Sequence, residues 1–182
     1  IEVVARQISN PLKSAVDFET TTRQDSGTGL PSLHQLEHLL VASGSDGLSV
    51  TSEFTLVLID VLGLNDITVQ HGRQVGDHAL QQVAERTRTA LSGSGILFRY
   101  GSAQFVALLP HIDFSSRKLI AERIQENLQG QTLLSKLGLN LTIQAIVTCV
   151  SSPHDGSSFK ELMLVAQRRI ASHQEHSSIQ VH

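Results

Sequence analysis

The chain has 182 residues, 40% of them hydrophobic, which suits one globular domain with a packed core and a short appendage. A formal charge of −3, a pI near 6.3 and only 4% aromatic residues give neither a basic field for a polyanion nor many stacking platforms for bases, which sets nucleic acid aside as a partner. No apolar run reaches the roughly 18 residues of a spanning helix and no signal peptide is visible, so no direct membrane insertion is expected.

The single cysteine, Cys149, lies in the apolar run Leu141 to Val150 and reads as a small buried hydrophobe of a reducing compartment, the cytoplasm. Starting at Ile1 rather than Met suggests a segment of a longer protein. Residues 1–24 form the first unit. Val4, Ile8, Leu12, Ala15 and Phe18 are three or four apart and mark one helical face, interrupted at Pro11. The alternatives are a connecting helix or a leader packed loosely on the domain. The second unit, 25–182, opens with the turn-rich Asp25-Ser-Gly-Thr-Gly-Leu-Pro-Ser32. Ser32 is a candidate cap for a helix burying Leu33, Leu36, Leu39 and Leu40. His34 and His38 are one turn apart on it, a spacing that can serve a metal, but no third ligand accompanies them, and they read as surface or half-buried histidines.

After a Gly/Ser-rich loop over 43–53, Phe54 to Asp60 is a near-continuous apolar strand, as expected of one buried on both faces. Helical spacing then places Ala79, Leu80, Val83, Ala84 and Leu91 on one face, in a helix beginning near His78. Gly95 to Tyr100 and Gln104 to Leu109, joined through Gly101-Ser102-Ala103, read as a hairpin. A helix starting at Asp113 or Ser115 should turn Leu119, Ile120, Ile124 and Leu128 inward. Leu139 to Val150 alternates as a strand. A last helix spans about Ser158 to Gln174, with a short edge strand expected over Ser178 to Val181. The order is helix, strand, helix, helix, strand, strand, helix, strand, helix: an α/β sandwich around a central mixed, largely antiparallel sheet.

Two motifs carry a resemblance. Asp60-Val-Leu-Gly-Leu-Asn-Asp-Ile-Thr-Val-Gln-His-Gly-Arg-Gln-Val-Gly-Asp77 resembles, without a gap, the DxDxFKxxNDxxGHxxGD stretch of GGDEF (diguanylate cyclase) domains. Arg99-Tyr-Gly-Ser-Ala-Gln-Phe105 falls where that family has RYGGDEF. Asp25 to Leu33 is similar to its DxLTGLxNR entry. The resemblance, over about Asp25 to Ser178, implies a palm-like cyclase fold entered by a connector from an upstream sensor.

In that family, the resemblance implies, GTP is held with divalent cations, which needs hard oxygen ligands and phosphate-facing cations. Asp60 matches the first metal-ligand aspartate and is the only side-chain ligand retained. Leu62 replaces the acid two residues on. In the signature loop, Gly101 and Phe105 remain, Ser102 replaces a glycine, and Ala103 and Gln104 replace the acids. Asn65 stands where a lysine faces the phosphates, and Gln174 where a second one does. The base reader keeps Asp77 but has Thr68 for asparagine. The inhibitory RxxD register falls on Ser92-Gly-Ser-Gly95, so no inhibitory site is expected. Asp60 and Asp77 also have plain structural readings: a strand-end cap or a partner for a basic side chain, and a cap for the helix near His78.

The resemblance therefore implies a cyclase scaffold of bacterial cyclic-di-GMP signalling with no catalytic residues and no cofactor, acting as a regulatory or dimerisation module. Its partners would be neighbouring domains of the same protein and a second copy contacted through the N-terminal segment. The alternatives are an allosteric domain that binds GTP, with Mg, without turnover through Asn65, Thr68 and Asp77, and an active cyclase with variant ligands.

Overall fold

A computed structural model describes residues 24–42, 53–110, 112–129, 131–134 and 140–179. The leader over residues 1–23 and most of the Gly/Ser-rich loop lie outside the described residues.

Helix α1 (Leu33–Ala42) precedes strand β1 (Phe54–Leu62), helices α2 (Leu64–His71) and α3 (Arg73–Leu91), the hairpin β2 (Ile96–Arg99) and β3 (Gln104–Pro110), helix α4 (Phe114–Leu128), strands β4 (Gln131–Leu134) and β5 (Asn140–Ser152), and helix α5 (Phe159–Ile179). The sheet order is β2-β3-β1-β5-β4. Every pairing between these strands is antiparallel, and the parallel component is one bridge, Ser32 to Arg99.

β1 is interior, with β3 on one side and β5 on the other. Its continuous apolar run follows from burial on both faces, because successive side chains alternate across the sheet. Val57, Ile59 and Val61 join Phe105, Ala107 and Leu109 of β3 under α3 and α4. Leu56 and Leu58 join Val106 and Leu108 under α1 and α5. Two cores, one per face, hold three layers together.

Several expectations are corrected. α3 starts at Arg73 rather than near His78, because Gly72 at φ 88 takes the left-handed turn between α2 and α3 and Val75 extends the apolar stripe back by one turn. Leu119 is 63% exposed: Ile120, Ile124 and Leu128 at intervals of four define the buried stripe, and Leu119 lies about 100° off it. Asp113, not Ser115, caps α4, its side chain accepting from the Ser116 N–H at 2.9 Å. Ser178 and Ile179 continue α5 instead of forming an edge strand, and residues 180 and 181 lie outside the described residues. β4 was not expected at all.

Around Ser32 the capping contact is made by Gln35, whose side-chain oxygen accepts from the Ser32 N–H at 2.9 Å.

Candidate functional site

The C-terminal end of β1, the β2–β3 turn and the N-terminal half of α3 meet at one edge of the sheet. Asp60 lies opposite Gln104 across the β1–β3 ladder, and Val61 N–H donates to Ala103 O at 2.9 Å, which ties the turn to the strand. At the other limb, the Tyr100 and Gly101 N–H groups both donate to Gln104 O, at 3.0 and 3.2 Å. Backbone bonds thereby fix both limbs of the turn Gly101-Ser102-Ala103.

Both oxygens of the half-buried Asp60 carboxylate accept from carboxamides. Gln104 Nε2 donates to Oδ1 at 2.9 Å and Gln174 Nε2, from α5, to Oδ2 at 3.0 Å. Neither expected alternative describes it: the partners are neutral amides rather than a basic side chain. Leu62, two residues on, is apolar and half-buried. The donor set around Asp60 is therefore one carboxylate, already hydrogen-bonded on both oxygens, beside groups that offer no second charge. Mg²⁺ prefers carboxylates together with substrate phosphates, and these residues do not fit it. Among the described residues no cluster of three or more His, Cys, Asp or Glu side chains is placed to hold a metal. His34 and His38 are both exposed.

A cleft of about 520 Å³ adjoins this edge, with Asn65, Thr68, Asp77, Ser102 and Ala103 among its lining residues. Thus five of the residues singled out in the sequence converge there, while Asp60 and Gln104 are engaged with each other. Thr68 donates its hydroxyl to Leu64 O at 2.8 Å, one turn back in α2. Its Oγ1 also faces Gly76 so closely that a Cβ there would overlap it, so α2 and α3 cross at the glycine. Thr68 is a packing and helix-bonding residue in a position where a base reader would need a free polar edge. Asp77 does not cap α3: it lies inside the helix and pairs with Arg73 one turn earlier at 3.7 Å, with both side chains well exposed. A pair of that exposure contributes little.

Two cations escaped the sequence reading. Arg73 stands at the histidine of the family stretch, and its signal was the i,i+4 spacing to Asp77. Arg99 was read only as part of the motif. It is half-buried, donates from Nη2 to Ser102 O, and places its guanidinium 4.8 Å from the centre of the Phe105 ring. Burial pulls its pKa down from the usual arginine range, against the pull of Asp25 and Asp77. For Asp25, burial pushes the carboxyl upward, but the hydrogen bonds from Thr28 and the Arg99 charge outweigh it and the net shift is downward.

The Ser92-Gly93-Ser94-Gly95 segment closes α3: Ser92 is left-handed at φ 49, and Ser94 N–H donates to Leu91 O at 2.9 Å. None of the four carries a charge. Cys149 is half-buried and free. Burial pushes its thiol pKa up, opposed by Arg117 and Arg169. No helix among the described residues is long and apolar enough to cross a membrane.

Comparison with known proteins bears on the family. The sequence model described as "Diguanylate cyclase, GGDEF domain" matches residues 22–178. Diguanylate cyclase DgcM of Escherichia coli K12 is 25% identical over 122 residues, which is 67% of this chain and 30% of that protein. The chain spans 30% or less of the length of the first curated relatives it matches. Among solved structures, the coiled coil and GGDEF domain of DgcB from Caulobacter crescentus, in complex with c-di-GMP, superposes with a TM-score of 0.74 at 16% identity, covering 96% of this chain and 92% of that one. Diguanylate cyclase SiaD of Pseudomonas aeruginosa, in complex with its activator SiaC, gives 0.67 at 19% identity, with 92% and 68% covered. The sheet order, the motif register and a match over residues 22–178 agree, and the chain belongs to the GGDEF domain family.

Proposed function

We propose that this GGDEF domain is catalytically silent and works by contact, as a regulatory and dimerisation module of a bacterial cyclic-di-GMP signalling protein on the cytoplasmic side of the cell. The observation that carries this reading is the state of Asp60. Both of its oxygens are hydrogen-bonded to glutamines, and positions 62, 103 and 104 hold Leu, Ala and Gln. Phosphoryl transfer to a ribose hydroxyl rests on cations that neutralise the developing charge. A single carboxylate with neutral neighbours has little charge to hold Mg²⁺ beside a triphosphate, and Asn65 and Gln174 bring no cation to the phosphates.

The partners proposed are neighbouring domains of the same protein and a second copy joined through residues 1–24. One named relative was solved as a coiled coil and GGDEF domain, which supports the second of these, and another in complex with an activator protein, which supports regulation by contact in general.

Incubation of the protein with GTP and Mg²⁺ should yield no cyclic dinucleotide, and the triple variant Ser102→Gly, Ala103→Asp, Gln104→Glu should also yield none, because Leu62, Asn65, Thr68 and Gln174 remain. Product from the wild type would overturn the silent reading. Product from the triple variant alone would show that the rest of the pocket is competent.

A second reading, GTP binding without turnover, is favoured by one observation: Asp77 remains on the wall of a cleft of about 520 Å³. Half of a bidentate reader leaves guanine edges unpaired at about 1–3 kcal/mol each, so any binding would be weak. Calorimetry with GTP and Mg²⁺ separates the two: saturable heat, even of weak affinity, favours the second, and no heat at millimolar GTP favours the first.

A further inference from the structure

Helix α5 is held to the sheet by Leu162, Met163, Ala166 and Ile170, all buried, at intervals that mark one face. Beyond Ile170 the apolar stripe stops. Residues 171–174 are all exposed, so burial of their side chains does not hold this stretch of the helix. Four residues after Ile170, on the same face, comes Gln174. It does not pack into the core: its Nε2 donates to Asp60 Oδ2 at 3.0 Å, at the end of β1. The other carboxylate oxygen is held at 2.9 Å by Gln104, the first residue of β3.

We infer that Asp60, Gln104 and Gln174 form a polar fastening that pins the last turns of α5 to the ends of β1 and β3. Asp60 is the positioning residue of this joint. A carboxylate suits it, because it accepts on both oxygens and hydrogen bonds to a charged acceptor are stronger than neutral ones. Gln104 holds the carboxylate from the neighbouring strand, and Gln174 engages it from the helix. The joint ties the geometry of the β2–β3 turn to the position of α5, two parts of the fold that lie on different elements and are far apart in sequence.

The inference uses the contacts on which the silent reading rests but does not depend on it, since a helix can be pinned whether or not the cleft turns over a nucleotide.

Hydrogen–deuterium exchange on the full 182-residue chain tests it, with the wild type, Gln174→Ala, Asp60→Asn and the double variant. Gln174 is exposed on a helix, so its replacement leaves the fold intact even where a change at the half-buried Asp60 does not. Peptides over residues 171–179 should exchange roughly tenfold faster in each single variant and no faster again in the double, as expected when both changes break one contact. Peptides over α3 should keep wild-type rates in Gln174→Ala. Wild-type rates over 171–179 in Gln174→Ala, or single effects that multiply in the double variant, would overturn the fastening. Failure of the silent reading is distinguishable, because it would appear as cyclic dinucleotide made by the wild type while the exchange pattern stood.

Discussion

At the scale of single residues, the most connected charge lies away from the cleft. Asp155 has a side chain only 10% exposed; it accepts from Ser151 N–H at 2.8 Å and from Arg169 Nη2 at 2.5 Å, and His154 Nδ1 lies 3.4 Å away. Burial alone pushes its carboxyl upward, yet the Ser151 and Arg169 bonds and the Arg169 charge outweigh burial, and the pKa ends below the ordinary carboxylate range. Since the folded-state pKa lies below the unfolded one, the stabilisation is fully present above the unfolded value near pH 4 and is lost as the pH falls through the folded value. Asp155→Asn should therefore be less stable than wild type by about 1–2 kcal/mol at pH 7, with the gap closing as the pH approaches 2. Urea midpoints measured from pH 7 down to pH 2 check this, and a gap that stays constant with pH would refute it. None of this network was legible in the sequence. Asp155 stands between two elements with no periodicity of its own, and its partners Ser151 and Arg169 come from β5 and α5.

Among the elements, the edge of β5 shows how a side chain can replace a strand. β4 pairs with β5 only from Asn140 to Ile143, so among the described residues no strand lies in register along the outer edge of those that follow. Gln125 of α4 fills that place: its Nε2 donates to Ala145 O at 2.6 Å and its Oε1 accepts from Val147 N–H at 2.9 Å. One carboxamide thereby satisfies a backbone acceptor and a backbone donor two residues apart, the spacing a strand partner would serve. Gln125→Ala leaves both groups without that partner and should cost about 1–3 kcal/mol, read as a lower urea midpoint with an unchanged slope. A variant as stable as wild type would show that water serves the edge equally well. The strands and helices with strong periodicity were legible: β1, the β2–β3 hairpin, the buried stripe of α3 and the alternation of β5. β4 was not, because Gln131-Thr-Leu-Leu134 is four residues with no alternation, and a strand that short is recruited by its partner rather than announced by its own pattern. The start of α3 was misplaced because the helix breaks only at Gly72, and Asp77 offered an attractive cap five residues beyond that true cap position. The candidate site was legible as a set of positions, since five of them line one cleft, but not as a set of contacts. That Gln174 would reach Asp60 across 114 residues of sequence has no local signal at either end.

For the molecule as a whole, the contact reading makes a hydrodynamic claim. The cyclase reaction that the family name denotes joins two GTP molecules, each presented by its own domain, so the scaffold suits pairing, and the sequence spacing of Val4, Ile8, Leu12, Ala15 and Phe18 predicts an apolar helical face for a second copy. Burying each of the larger of these side chains contributes about 1.5–3 kcal/mol. The 182-residue chain should therefore sediment as a dimer at high micromolar concentration, and a version starting at Asp25 as a monomer. Two monomers would reduce the leader to a brace on its own domain. The separation of the two cores has a further consequence. Stability is vested in the middles of β1 and β3, whose side chains fill both faces of the sheet, whereas the altered signature positions sit at strand tips and in turns. Ala103 touches one core from its rim, but a replacement at a tip costs mainly the local contact it breaks rather than the packing of the strand middles. The strand tips of such a fold are free to change one residue at a time without passing through an unstable intermediate, because the strand middles carry the packing.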